Sequence, residues 1–113
     1  MATATPHKSQ AYNLGPVTGI PLGEGRVFQI GSLAVAVFRT RREGVFATQA
    51  WCPHKAGPLA DGLIGTGQVI CPLHGYTFDL ATGQPVGNAC TALDTYTVFV
   101  SEAGDILLRL DGV

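Results

Sequence analysis

The chain has 113 residues, enough for one hydrophobic core and too few for a two-domain enzyme. Only 13% of residues are charged and the formal net charge is −1, which supplies no basic patch for nucleic-acid phosphates or an anionic membrane surface. With 46% hydrophobic residues the chain can bury a core, which excludes intrinsic disorder, and its 15 Gly and 7 Pro point to a loop-rich β protein.

Residues 1–10 (MATATPHKSQ) are small and polar around Pro6 and read as a disordered tail, with His7 a bystander. They contain no apolar leader-like stretch, and no part of the chain reaches the ~20 apolar residues of a membrane span. Three cysteines are too few, and odd in number, for a disulfide framework, so a reducing, cytoplasmic setting is expected. Residues 11–113 form the expected domain. Short β-type runs separated by Gly-containing turns predict strands at Tyr12–Leu14, Arg26–Ile30, Leu33–Phe38 and Val45–Thr48, and later at Thr95–Val100 and Ile106–Leu110. The first pair of long runs reads as a hairpin turning at Gly31-Ser32, the last pair as one turning at Glu102–Asp105. No segment has a helical period. Arg39, Arg41 and Arg42 fall at a strand end and read as a solvated hairpin tip.

Between these two meanders, residues 50–90 are dense in Gly, Pro, Cys and His, with only short apolar stretches such as Gln68–Ile70. A long irregular insert in a compact β domain is usually functional. It contains one internal repeat, Cys52-Pro53-His54 and Cys71-Pro72-Leu73-His74, separated by sixteen residues. Each loop offers one thiol and one imidazole, so two tight loops can converge four soft or borderline donors on one place. Pro53 and Pro72 stiffen the loops by fixing φ, and Gly57 and Gly75 allow close backbone approach. Three readings fit these donors: a structural zinc site, a Cys-His nucleophile pair, and a [2Fe–2S] centre with mixed ligation. Zinc sites usually pair Cys with Cys and His with His, whereas here the two types alternate; a nucleophile pair leaves the second loop unexplained. A c-type haem would need C-x-x-C-H, which is absent.

CPHKAGPLADG followed by CPLHGYTFDLATGQ resembles the Rieske ferredoxin-type domains, over most of residues 11–110. The resemblance implies an all-β fold, an antiparallel β-sandwich with a small cluster-binding subdomain inserted between strands. It also implies a [2Fe–2S] cofactor with Cys52 and Cys71 on one iron and His54 and His74 on the other. Two thiolates and two neutral imidazoles leave an oxidised core near zero charge, so an electron enters more easily than in an all-cysteine site. High-potential respiratory members add a Ser and a Tyr hydroxyl and a disulfide between the loops. Here those positions hold Tyr76, Phe78, and the pair Gly57 and Leu73. The imidazole edge is expected near the surface, ringed by Pro53, Leu59, Leu73 and Lys55, as a docking patch for a partner. Lys55 reads equally as a solvated charge, Trp51 and Cys90 as core packing, and Asp61 and Asp79 as backbone ties.

Within that family, Lys55 after the first His, the stretch LAVAVFRTRREGVFA and the opening YNLGPVTGIPLGEGRVF are similar to small subunits of assimilatory NAD(P)H nitrite reductases. That implies a non-catalytic electron-transfer subunit working with a larger flavin- and sirohaem-containing subunit that reduces nitrite to ammonium. The alternative is a ferredoxin serving an aromatic-ring-hydroxylating dioxygenase. The missing hydroxyls and disulfide predict a midpoint potential toward the lower end of the roughly −150 to +300 mV Rieske range, falling further at alkaline pH as the ligand imidazoles lose their outer N–H protons. Redox titration of the holoprotein checks both; a midpoint well above 0 mV, or one flat to about pH 10, contradicts them.

Overall fold

The computed structural model describes residues 11–42, 44–53, 57–73 and 75–110. The expected tail 1–10, with His7, and residues 111–113 lie outside them. Ten strands run β1 (Ala11–Pro16), β2 (Glu24–Ile30), β3 (Leu33–Arg39), β4 (Val45–Gln49), β5 (Leu63–Gly65), β6 (Gln68–Ile70), β7 (Thr77–Asp79), β8 (Pro85–Val86), β9 (Thr95–Val100) and β10 (Asp105–Arg109). Helix among the described residues is confined to two three-residue 3-10 turns, at Val17–Gly19 and Leu59–Asp61. Neither is long and apolar enough to cross a membrane.

Six strands make one antiparallel sheet in the order β1-β10-β9-β4-β3-β2, and the insert makes a second in the order β5-β6-β7-β8. Both predicted hairpins are present. Ile30 pairs with Leu33 across Gly31-Ser32, and β9 and β10 pair from Val100↔Ile106 to Thr97↔Arg109. The second turn closes through Ser101 and Asp105, whose backbones bond at 2.8 Å. β9 pairs with β4 through Thr95 and Tyr96 and with β10 through Thr97 to Val100. The sheet thus rolls over along β9 around a core of Ile20, Val35, Val37, Ala47, Ile106, Leu108 and Leu110.

The apolar run of β3 follows from its position between two cores. Side chains alternate across a strand, so Val35 and Val37 enter the core just named. Ala36 and Phe38 face the other way, into a second core with Cys52, Leu59, Ala60, Val69, Cys71, Phe78, Leu80 and Leu93. All four β3 residues from Val35 to Phe38 are fully buried. A strand covered on both faces reads as a continuous apolar run rather than an alternating one.

The same alternation orders the small sheet. Ile64, Val69, Phe78 and Pro85 are neighbours across its four strands and form the row facing the second core. Leu63, Ile70, Thr77 and Val86 form the opposite row, where Leu63 is 73% exposed. Arg39 is more than a solvated tip, because its Nη1 donates to the Ile20 carbonyl at 3.0 Å and so ties β3 to the segment before β2.

Phe38→Ala opens a void beneath the second core and should cost about 3–5 kcal/mol of unfolding free energy. Leu63→Ser, in the exposed row, should stay within about 0.5 kcal/mol. Denaturant titration of the two variants under one condition checks the contrast.

Candidate metal centre

The repeated sequence Cys-Pro is also a repeated structure. Cys52 N–H donates to the Gly57 carbonyl at 2.8 Å, and Cys71 N–H donates to the Tyr76 carbonyl at 2.7 Å, five residues on in both loops. Each loop is bracketed by one antiparallel pair, Trp51↔Pro58 and Ile70↔Thr77. The two loops are therefore equivalent hairpin ends. One is tied to the main sheet through Leu59 N–H to the Ala50 carbonyl at 3.0 Å, and the other grows out of β6 and β7.

The hairpins bring both cysteines inward. Cys52 and Cys71 are each 1% exposed, share the second core, and form no disulfide. Their side chains lie within hydrogen-bonding reach of one another. Burial pushes the Cys71 thiol above its ordinary pKa; the Leu73 backbone N–H, which donates to its sulfur, opposes this, and Cys52 adds to the rise. Cys90 is partly buried against the same core, close enough to Cys71 to add slightly to that rise. Its backbone N–H is held by Asn88 Oδ1 at 2.8 Å. His54, Lys55 and His74 lie outside the described residues, so the structure places the two sulfurs and not the two imidazoles.

Space beside the sulfurs is set by Gly57. A Cβ there would stand 2.8 Å from Cys71 Sγ and 3.1 Å from Leu73 Cγ. Gly57 and Leu73 are thus in contact across the loops, at the two positions where the resemblance puts a disulfide in high-potential relatives. Gly75 is needed for a different reason: its φ is +71°, and a Cβ there would meet open space.

Several flanking residues differ from expectation. Leu59 is fully buried, so it belongs under the site rather than on its rim; the 3-10 turn after Pro58 directs it inward. Trp51 is 49% exposed, not core packing, because it stands between inward-facing Ala50 and Cys52. Pro53 and Leu73 are exposed as anticipated, and Pro72 is exposed beside Leu73. Asp79 is a backbone tie, its Oδ1 accepting from Ala81 N–H at 2.9 Å and Thr82 N–H at 3.0 Å. Asp61 is exposed on the 3-10 turn. The Leu73 N–H contact to Cys71 escaped the sequence reading, since backbone donors have no residue signature.

Donor chemistry and space both suit an iron–sulfur group. Two buried sulfurs come from matched loops, one already accepts a backbone N–H, and a glycine clears the volume beside it. The fold and this site define a Rieske-type domain. A family model described as a Rieske-like [2Fe–2S] domain matches residues 10–109, and the chain belongs to that family. Its cofactor is a [2Fe–2S] cluster and its role is electron transfer in oxidoreductase systems.

Ferredoxin CarAc of Metapseudomonas resinovorans is 33% identical over 78 residues, covering 68% of this chain and 72% of that protein. NirD of E. coli superposes with a TM-score of 0.79 at 26% identity, over 89% of this chain and 96% of that one. A structure assigned as the small subunit of an NADH-dependent nitrite reductase of Mycobacterium tuberculosis reaches 0.85 over 93% of this chain and 98% of that one; at 19% identity this is a likeness of fold. A ferredoxin solved in complex with the oxygenase of carbazole 1,9a-dioxygenase reaches 0.75 at 25% identity, over 86% of this chain and 99% of that one.

Gly57→Ala should abolish most cluster incorporation, because the new methyl meets a sulfur and a packed leucine on a stiff loop. Gly75→Ala should retain the cluster and cost about 1–2 kcal/mol for its backbone conformation. Iron and acid-labile sulfide per chain, with the denaturation midpoint, distinguish the two outcomes.

Proposed function

We propose that this chain is the electron-transfer small subunit of an assimilatory NAD(P)H-dependent nitrite reductase, with Cys52, His54, Cys71 and His74 as the cluster ligands. In this reading residues 11–113 are the Rieske domain, residues from about 50 to 90 its cluster-binding part, and the protein works in the cytoplasm beside a larger flavin- and sirohaem-containing subunit. The bound cluster supplies reversible one-electron transfer.

The chain's own residues set the conditions for that transfer. Cys52 and Cys71 place sulfur in a core that excludes water, and the Leu73 N–H steadies negative charge on the Cys71 sulfur. Phe78 is fully buried among them and brings no hydroxyl. Pro53, Pro72 and Leu73 present an uncharged outer edge on the two loops, suited to a short-lived protein contact. The observation that carries the nitrite reductase reading is the first loop, CPHKAGPLADG, with Lys55 after the first histidine, and the likeness to NirD supports it.

A second reading has a specific observation behind it. The sequence match to Ferredoxin CarAc, together with a likeness to the ferredoxin of an oxygenase complex at 25% identity against 26% for NirD, supports a ferredoxin delivering electrons to an oxygenase.

NAD(P)H-dependent nitrite loss by the co-encoded large subunit, measured with and without this protein, separates the readings. Dependence on wild-type protein is expected, with Cys52→Ser and Cys71→Ser each removing the stimulation and most of the bound iron. No dependence, together with stimulation of a ring-hydroxylating dioxygenase, selects the second reading.

A further inference from the structure

The arginines of the β2–β3 hairpin divide into two kinds. Arg26 and Arg39 serve the fold: Arg26 lies over the Phe28 ring at 5.4 Å and reaches the Gly19 carbonyl at 3.5 Å, and Arg39 holds the Ile20 carbonyl. Arg41 and Arg42, exposed on the turn after β3, have no hydrogen-bond or ion-pair partner among the described residues. Their base is nevertheless fixed, because Thr40 donates to the Gly44 carbonyl through both its N–H at 2.9 Å and its hydroxyl at 2.8 Å. The Arg41 guanidinium also lies against Gly23, where a Cβ would stand 3.3 Å from its Nε and Nη2.

These two side chains line one wall of a groove of about 390 Å³ whose opposite wall is the β5–β6 turn at Gly65 and Thr66. Beyond Ile64 the groove continues into a second hollow lined by Glu24 and Asp61. Four of the chain's five arginines stand in this hairpin and its turn, on a protein of net charge −1. Two adjacent guanidiniums lining one groove match carboxylates, which accept their parallel N–H groups in pairs. The acidic far end repels a long polyanion, so the ligand chemistry is a short carboxylate cluster rather than a nucleic-acid backbone.

We propose that this groove docks adjacent carboxylates on an acidic segment of a partner protein. The site needs no cluster for its chemistry, so its failure would leave the nitrite reductase reading intact. The test is fluorescence anisotropy of fluorescein-labelled hexaglutamate with the iron-loaded protein at low salt, about 20 mM NaCl, where the Debye length is long enough to retain surface attraction. Wild type should bind, Arg41→Gln/Arg42→Gln should weaken binding about fivefold or more, as expected for two exposed pairs, and Arg109→Gln, outside the groove, should bind as wild type does. An unchanged visible spectrum of the cluster shows that each variant is folded. The proposal is overturned if wild type does not bind, if the double variant binds as tightly, if Arg109→Gln weakens binding equally, or if labelled single-stranded DNA binds more tightly than the peptide.

Discussion

Two sulfurs held side by side in a dry core are the constraint on which the inserted half of this protein depends. Cys52 and Cys71 occupy a core otherwise built of aliphatic and aromatic groups, and in that setting a thiol resists ionisation, as the raised Cys71 shows. A metal cation between the sulfurs reverses the argument, since burial that penalises a lone thiolate protects a coordinated one from water and competing protons. The core therefore suits a site completed by its cofactor, and the backbone N–H of Leu73 is already aimed at the charge that ligation creates.

β3 connects this requirement to the rest of the molecule. One face of the strand completes a core within the rolled six-stranded sheet, which involves neither cysteine; the other supplies Ala36 and Phe38 to the core that contains both. The main sheet can consequently hold its shape while offering a rigid floor to the loops above. Those loops gain little from regular structure of their own, with strands of two or three residues, and depend on matched hydrogen bonds and on that floor for position.

Much of this was legible in the sequence for physical reasons. Long β-branched and aromatic runs with two- and four-residue turns fix the hairpins at Gly31-Ser32 and before Asp105, and Gln68–Ile70 stood out as the apolar stretch of the insert. β5, β7 and β8 were missed because strands so short have no measurable period and lie among Gly and Thr, which also signal turns. Trp51 and Leu59 were misplaced for opposite reasons. The size of Trp51 suggests core packing, yet alternation between buried Ala50 and Cys52 turns it outward. Leu59 stands close to the first loop in sequence, yet a single 3-10 turn rotates it beneath the site. The site itself was visible as four scarce donors in two related loops. What no pattern could show was that Gly57 and Leu73 meet, because that contact joins two loops sixteen residues apart through packing alone.

The scarcity of charge then acquires a local meaning. Between Gly62 and Cys90 the one Asp, Glu, Lys or Arg is Asp79, and its carboxylate is occupied by backbone N–H groups of its own turn. The surface that this segment contributes beside Cys71 thus carries little fixed charge to oppose or favour an added electron, and little with which to attract a partner from a distance. Apolar contact alone gives slow, weakly oriented association, whereas charges set to one side can guide encounter without entering the contact. In this chain Arg41 and Arg42 lie on the turn after β3, facing the far end of the β5–β6 hairpin whose other end leads into Cys71. Separating a neutral face for electron exchange from a charged groove for orientation would let a partner bind in one direction and still leave quickly.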